Sequence, residues 1–572
     1  MERQLPAPSP PIEAAAALAR PVLTLSGEAL LYGLALLVAA ALRLALAGRD
    51  PLAPSETATA LAALDLVAGR SQPGGTPLAE VLSAFVFFIA GGSDLAARLP
   101  AVLAGVGTVA VLPLFRPLLG RRAALLAAFL LAVSPFALGI SRRLDSESFA
   151  LFGALLVTLG VFRFLAEGRL GWLVLAIVTL GPLLATGPGA LTFVLALATA
   201  GAAARLAGLQ LFSVRALWQQ RESQAALGWA ALAALLLYLT CASRVFLDGR
   251  GLALPALRAW VEAFSGGGSL VLPLVALLSY EPLALVFGVA GAVRLLRSSP
   301  GGEPRQLLCL GFLAVWSAVA LGVALLGGQR LVGPLASVTL PLTLLTATVL
   351  ADLLHRTGST ELARGGAIIG VLPLMVFAAI QSAVLLRTQV DAGPQWLAVW
   401  LSLVLAAGYA LLVLSAGGRA ALPPVALAGA GLLLLGTVHA SFQLNARPTA
   451  AEWVLAELPG PAATLFPATL AELQADRGGV LLYGVSPSLR VPFGWYLRDL
   501  PGQVLTDQLQ PGLGALIVAA GNDPPGATVV QRATAAAGTF GPPEGWRAFW
   551  RWYVWREGLS TSFERQTVLL TP

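Results

Sequence analysis

Between Arg121-Arg122 and Arg142-Arg143 the chain reads AALLAAFLLAVSPFALGI, residues 123–140, without a single charge. That length approaches the roughly 20 apolar residues with which a helix crosses the hydrocarbon of a bilayer. The arginine pairs bracket it where headgroups and water begin. Comparable runs recur on both sides: Leu30 to Ala47, interrupted by Arg43, then Ala101 to Leu119 and Leu270 to Val293. Over 572 residues, 57% are hydrophobic and 11% charged, with a mean hydropathy of +0.81, whereas soluble domains carry about 25% charged residues. No soluble core needs so much apolar sequence, and the bilayer is the solvent for most of this chain.

Spans placed at 27–48, 98–117, 123–141, 147–166, 170–186, 188–208, 225–243, 269–293, 307–326, 331–353, 366–386, 396–416 and 421–441 predict an α-helical polytopic membrane protein of about 13 transmembrane helices. An odd number puts the termini on opposite sides. The loops holding Arg116/Arg121/Arg122, Arg205/Arg215/Arg221, Arg294/Arg297/Arg305 and Arg356/Arg364 share the side of Met1, which the excess of positive charge makes cytoplasmic. Residues 1–26 read as a cytoplasmic tail with no cleaved signal, because the apolar run that follows is too long for one. Residues 27–441 form the membrane domain. From 442 to 572 charges and turn residues return, with β-type runs at Gly479–Val485 and Ala515–Ala520 and helical stretches at Ala450–Leu458 and Leu465–Asp476. This predicts a small C-terminal α/β domain outside the cytoplasm of an inner-membrane protein.

All 36 basic residues are arginine. They are scattered over loops, which argues against a nucleic-acid partner and for lipid phosphates and anionic headgroups as counter-charges. Two cysteines, Cys241 and Cys309, are too few for a disulfide framework or a thiolate metal site. Two histidines, His355 and His439, offer no histidine cage and no Ser-His-Asp hydrolase. Any metal rests on oxygen ligands, with Mg²⁺ or Mn²⁺ on Glu56, Asp50 or Asp145 the option open to this sequence.

Three segments fall on the outer side: 49–98, 141–148 and 244–269. In the first, Ala60, Leu61, Leu64 and Val67 recur at helical spacing within Thr57–Gly69, predicting an amphipathic helix lying on the membrane surface. The same loop runs Pro51-Leu52-Ala53-Pro54-Ser55-Glu56-Thr57-Ala58, then Thr76-Pro77-Leu78 and Gly92-Ser93-Asp94-Leu95-Ala96-Ala97-Arg98-Leu99-Pro100-Ala101. Gly120-Arg121-Arg122, Leu131-Ala132-Val133-Ser134-Pro135 and Ser141-Arg142-Arg143 follow. In order and spacing these tracts resemble the GT-C superfamily of membrane glycosyltransferases, of the dolichyl-phosphate mannosyltransferase and aminoarabinose-transferase type. The branch closest in pattern is the one labelled flippase-activity-associated. The resemblance is good over residues 30–170; Tyr280-Glu281-Pro282, Gly328-Gln329-Arg330 and Gly494-Trp495-Tyr496-Leu497-Arg498-Asp499 extend it more weakly.

The resemblance implies a sugar moved from a polyprenyl-phosphate donor to a lipid, glycan or protein acceptor at the outer face. In such enzymes the first outer loop carries an Asp-Glu pair that activates the acceptor or helps hold a cation. Here the matching position is Ser55-Glu56, with Asp50 nearby as a substitute for the missing carboxylate. Independently of the resemblance, a hydroxyl nucleophile needs a base, and a carboxyl near a low-dielectric surface is raised toward useful basicity. The plain alternative for Glu56 is an acid at a helix N-terminus, complementing the dipole.

Arg142, Arg143, Asp145 and Glu147 crowd the second outer loop. Arginine suits a lipid phosphate because its guanidinium makes paired hydrogen bonds; the other reading is an ion cluster that fixes the hairpin. Arg98, Arg244, Arg258 and Arg330 sit at outer span ends or in outer loops, either binding phosphate or snorkelling, and Tyr280 joins the substrate-binding candidates. Near the C-terminus, Trp546, Phe549, Trp550 and Tyr553 alternate with Arg547, Arg551 and Arg556. That pattern serves a sugar-stacking platform, or packing onto the membrane domain or headgroups. The rival functions are a flippase or transporter component for lipid-linked sugars and a non-catalytic scaffold.

Overall fold

The computed structural model describes residues 26–45, 47–48, 50–71, 76–208, 221–249, 257, 260–261, 264, 269–297, 304–327, 332–363, 366–388, 393–417, 422–446, 452–455, 462–519, 527–537, 543–557 and 563–571. Helices follow in the order α1 (Gly27–Leu44), α2 (Pro54–Val67), α3 (Pro77–Ala90), α4 (Asp94–Ala110), α5 (Arg121–Val133), α6 (Pro135–Ser141), α7 (Ser146–Glu167), α8 (Leu170–Leu184), α9 (Pro188–Leu206) and α10 (Arg221–Ala242). Then come α11 (Leu272–Tyr280), α12 (Pro282–Arg297), α13 (Pro304–Leu326), α14 (Val332–Ala363), α15 (Gly366–Thr388), α16 (Gly393–Gly417) and α17 (Leu422–Ala446). Among the described residues nine helices are long and apolar enough to cross a membrane, or eleven if two bent pairs each count as one span. The thirteen expected spans are not all found among the described residues. Those placed at 170–186 and 366–386 appear as α8, of 15 residues, and as an apolar stretch Leu372–Ser382 inside α15.

The run 123–140 is one of the bent pairs, α5 and α6 meeting at 60°. Proline explains the break: Pro135 has no N–H to donate and its ring blocks the preceding turn. The polar groups left open are met by charges from other helices. Arg43, buried inside α1, donates to the carbonyls of Leu131 (3.2 Å) and Ala132 (3.3 Å). On the amide side Glu281 accepts from the Ser134 hydroxyl (2.5 Å) and from Phe136 N–H (3.4 Å). A cation thus faces the carbonyl end of α5 and an anion the amide end of α6, each matching its helix dipole. Glu281 lies at the second break, where α11 and α12 meet at 106°. Close packing near this junction requires Gly105 on α4, where a Cβ would lie 2.3 Å from Ser141 Cβ and 2.8 Å from Arg43 Nε.

The loop after α1 differs from the expected surface helix. α2 buries Glu56, Thr57, Thr59, Ala60, Ala62 and Ala63, while Leu64 is half-buried and Val67 exposed. Its alanine-rich flank lets it sink against α3, α4 and the C-terminal domain, so it is a packed wall of the bundle. α3, a short apolar helix, was not anticipated by the spacing.

The last span runs on to Ala446, past the expected boundary at 441. Beyond it α18 (Ala462–Arg477), α19 (Arg490–Tyr496) and α20 (Trp546–Trp555) accompany a five-stranded mixed sheet: β1 (Tyr483–Val485), β2 (Gln503–Leu505), β3 (Ala515–Ala519), β4 (Thr528–Ala537) and β5 (Phe563–Thr571), in the order β2-β1-β3-β5-β4. β1 pairs in parallel with β2 and β3, and β5 antiparallel with β3 and β4. β1, β3, α18 and α20 fall where strand and helix patterns were read; the described part of 450–458 is a turn instead. β2, β4 and β5 were not foreseen: β2 is three residues long and β4 carries an alanine run of poor strand propensity.

Candidate active site at the head of the first loop

The loop between α1 and α2 is shaped by Arg98, on the first turns of α4. Its guanidinium donates to the carbonyls of Ala47 (2.7 Å), Asp50 (2.8 Å) and Pro51 (3.1 Å). It also forms a two-pronged pair with Glu56 at 2.8 Å for each bond. Both residues are buried, Glu56 3% and Arg98 4% exposed. Glu56 further accepts from the amides of Leu144 (2.8 Å) and Ala53 (2.8 Å). Each of its oxygens therefore holds two donors, which fills the acceptor capacity of a carboxylate. Burial pushes the Glu56 carboxyl up, but the hydrogen bonds and charge of Arg98, with the Ala53 and Leu144 amides, outweigh it and hold the group below the ordinary carboxyl value. This corrects the expectation of a raised base. Glu56 is a fixed anion that ties the first loop to the second, and its oxygens have no room for a metal.

Asp50, Glu56, Arg98, Arg142 and Arg143 line one pocket together with Gly139, Leu444 and Asn445. Arg142 donates to the carbonyls of Asn445 and Ala45, the latter at 3.0 Å. Asn445 in turn donates to the Pro135 carbonyl (3.1 Å). The Arg143 guanidinium and the Asp50 carboxylate, both half-buried, make no hydrogen bond among the described residues. Burial pulls the Arg143 guanidinium down, Glu56 opposes this and Arg98 adds to it, yet arginine stays charged across the physiological range. A carboxylate and a guanidinium that make no hydrogen bond of their own among the described residues thus share one pocket, beside the paired Glu56 and Arg98 and beside Arg142, which is held there only by backbone carbonyls.

The other candidates lie elsewhere. Asp145 caps α7, accepting from Glu147 N–H (3.0 Å), and does not line the pocket. Glu147 is buried and accepts from Gly189 N–H (3.1 Å) at the start of α9. It does not line the pocket, so the structure does not bring Glu147 to the candidate site: one carboxylate oxygen meets the α9 N-terminus. Arg244 is buried in an ion pair with Glu80 and a second with Asp248 (3.2 Å), a brace between α10 and α3 and not a phosphate ligand. Tyr280 is fully buried and donates to Glu452. Its ring packs on Phe136, Trp453 and Trp552, which removes it from contact with substrate. Arg258 and Arg330 lie outside the described residues. Cys241 and Cys309 are free and buried. Among the described residues no three His, Cys, Asp or Glu side chains cluster as metal ligands.

α20 settles onto the bundle: Trp552 is fully buried, and Arg556 pairs with Glu452 while lying over the Tyr280 and Trp552 rings. The side chains of Trp546 and Arg547 lie outside the described residues. A second, open groove of about 1260 Å³ runs along the other flank of α2, between Ala58, Leu61, Asp65 and Arg70 on one side and Arg490 and Gln503 of the C-terminal domain on the other. Sequence reasoning assigns no role to Asn445, Asp94 or Glu281. Asp94 and Glu281 stand in tracts that carry the resemblance, and the signal of Asn445 is a polar residue at the end of an apolar span.

ArnT from Cupriavidus metallidurans, solved bound to undecaprenyl phosphate, superposes with a TM-score of 0.56 over 95% of this chain and 97% of its own, at 17% identity. The chain has the fold of the GT-C superfamily. The apo state of the same ArnT gives a TM-score of 0.54 at 18% identity, with the same coverage of both chains. A family profile described as dolichyl-phosphate-mannose-protein mannosyltransferase matches residues 71–204, the stretch that carries Arg98, Arg142 and Arg143. The YkcB protein of Bacillus subtilis (strain 168) is 33% identical over 111 residues, which make up 19% of this chain and 15% of that one. The chain is multi-pass, with its pocket at the ends of α1 and α6 and the start of α4.

Proposed function

We propose that this chain transfers a sugar from a polyprenyl-phosphate donor to an acceptor hydroxyl at the outer face of the plasma membrane. One observation carries the reading: Asp50 and Arg143, both without hydrogen-bond partners among the described residues, face the same pocket. The donor phosphate sits against Arg143 and Arg142, with the polyprenyl tail running down among the spans. Asp50 takes the proton of the acceptor hydroxyl. The hydroxyl oxygen bonds to the anomeric carbon as the bond from that carbon to the phosphate oxygen breaks, and the configuration inverts. The electron pair leaves on the phosphate, which Arg143 neutralises. Asp50 replaces the carboxylate missing at Ser55, and the acceptor approaches along the groove between α2 and the C-terminal domain.

The test uses full-length protein in lipid nanodiscs with a panel of polyprenyl-phosphate sugars. Asp50→Asn should keep donor binding and lower turnover by roughly 10²–10⁴-fold, the contribution of a general base. Arg143→Ala should weaken donor binding by about 1.5–3 kcal/mol, the worth of a hydrogen bond to a charged group. Undiminished turnover in Asp50→Asn removes the base. The two bent spans joined by Glu281 favour a second reading, translocation of the lipid-linked sugar, since interrupted helices mark transport sites. Flipping of a labelled donor without any transfer would select it, and donor binding with neither activity would leave a scaffold.

A further inference from the structure

The C-terminal domain reaches the first loop through one short helix. From α19 and the residues after it, Trp495 Nε1 donates to Asp94 Oδ1 (2.7 Å) and the Tyr496 hydroxyl to Asp94 Oδ2 (3.0 Å). The same hydroxyl accepts from Leu52 N–H (2.5 Å). Arg498 lies over the Trp495 ring at 4.1 Å and donates to the Gly92 carbonyl (2.9 Å). Asp94 stands one turn before Arg98 on α4, and Arg98 holds the carbonyls of Ala47, Asp50 and Pro51. The loop is therefore gripped at its carbonyls by Arg98 and at its next amide by Tyr496. Asp50, the carboxylate assigned to the chemistry, is held at its own carbonyl by Arg98, two residues before the amide held by Tyr496.

We propose that Tyr496, held by Asp94, is a positioning residue: the C-terminal domain completes the active site by fixing the loop that aims Asp50. This rests on the function proposed above. Docking of the domain is served by apolar contact, with the buried Trp495 against Phe87 at 5.6 Å between ring centres and Gly494 close to Leu61. The Tyr496 hydroxyl adds little area there. Its geometry instead links three polar groups, in the order Leu52 N–H, Tyr496 hydroxyl and Asp94 carboxylate. Burial raises the Tyr496 hydroxyl, the Leu52 amide opposes this and Asp94 reinforces it, with the value well above the ordinary one; the group stays protonated and keeps its bond to Asp94. A base displaced by about 1 Å loses on the order of 10² in rate, so a hydroxyl outside the pocket can govern turnover.

Tyr496→Phe in the full chain keeps the ring and removes both hydrogen bonds. Turnover should fall on the order of 10²-fold, while binding of undecaprenyl phosphate stays within about twofold. Amide exchange of residues 50–56 should quicken. Asp94→Asn should lower turnover too, and the double variant should be no worse than the poorer single one, because both cut one connection. Arg498→Ala, which loosens the same helix without touching Leu52, serves as the control for docking alone. Wild-type turnover in Tyr496→Phe, or an equal loss in Arg498→Ala, overturns the proposal. If the wild type transfers no sugar, the functional reading falls, and unchanged exchange in Tyr496→Phe would separately remove the positioning role.

Discussion

Glu56 carries a charge that folding has spent on architecture. Its folded value lies below the ordinary carboxyl value near 4.5, so its stabilising contribution is complete above that value and is lost as the pH falls through the lower folded one. Glu56→Gln should flatten the acid side of a thermal-stability profile and lower the melting temperature at neutral pH, because an amide NH₂ would face donors. Arg98→Ala should be harsher, about 3–5 kcal/mol, since it leaves a buried carboxylate without its partner; thermal unfolding in detergent at several pH values checks both. As residue types, Glu56, Arg98, Asp50 and the Arg142-Arg143 pair were legible in the sequence. Their division of labour was not. Glu56 and Arg98 are 42 positions apart, and no spacing rule tells which of two carboxylates a distant guanidinium will saturate and which it will leave open to the pocket.

A helix broken inside a membrane needs outside donors and acceptors for its open ends, since lipid supplies none. At the Ser134-Pro135 break Arg43 and Glu281 fill that need. Glu281→Leu should strand the Ser134 hydroxyl and the Phe136 amide, costing about 1–3 kcal/mol for each buried donor left unmet. Glu281→Gln keeps an acceptor oxygen and should lose less; paired melting curves distinguish the two. Because α6 leads directly into Arg142 and Arg143, the leucine variant should also weaken undecaprenyl-phosphate binding. The sequence announced the break only as a proline within an apolar run, which reads equally as a kink in one straight span. Arg43 looked like a stray charge in the first span because the carbonyls it serves are 88 and 89 residues away.

The membrane class of the molecule followed from composition, which needs no contacts, whereas the join between its domains depends on pairs far apart in sequence. Glu452 and Arg556, both buried, bind each other beside Tyr280. Arg556→Ala should cost about 3–5 kcal/mol by leaving the buried Glu452 without its cation, and adding Glu452→Gln should recover part of it, as thermal unfolding would record. Sidedness is tested separately: a reporter fused after Pro572 should be active outside the cytoplasm and one inserted near Gly301 inside it. A cytoplasmic C-terminus would move the pocket to the wrong face for an outer-leaflet reaction.

The bond from Leu52 to Tyr496 spans 444 residues, and this sets a timetable for synthesis. At roughly 5–20 residues per second, on the order of 20 to 90 s pass between the ribosome adding Leu52 and adding its partner. Through that interval Arg98 grips the loop from one side only. On the function proposed above, a nascent or truncated chain can therefore insert and pack its spans while its reactive carboxylate is still unaimed, and competence arrives with the C-terminal domain.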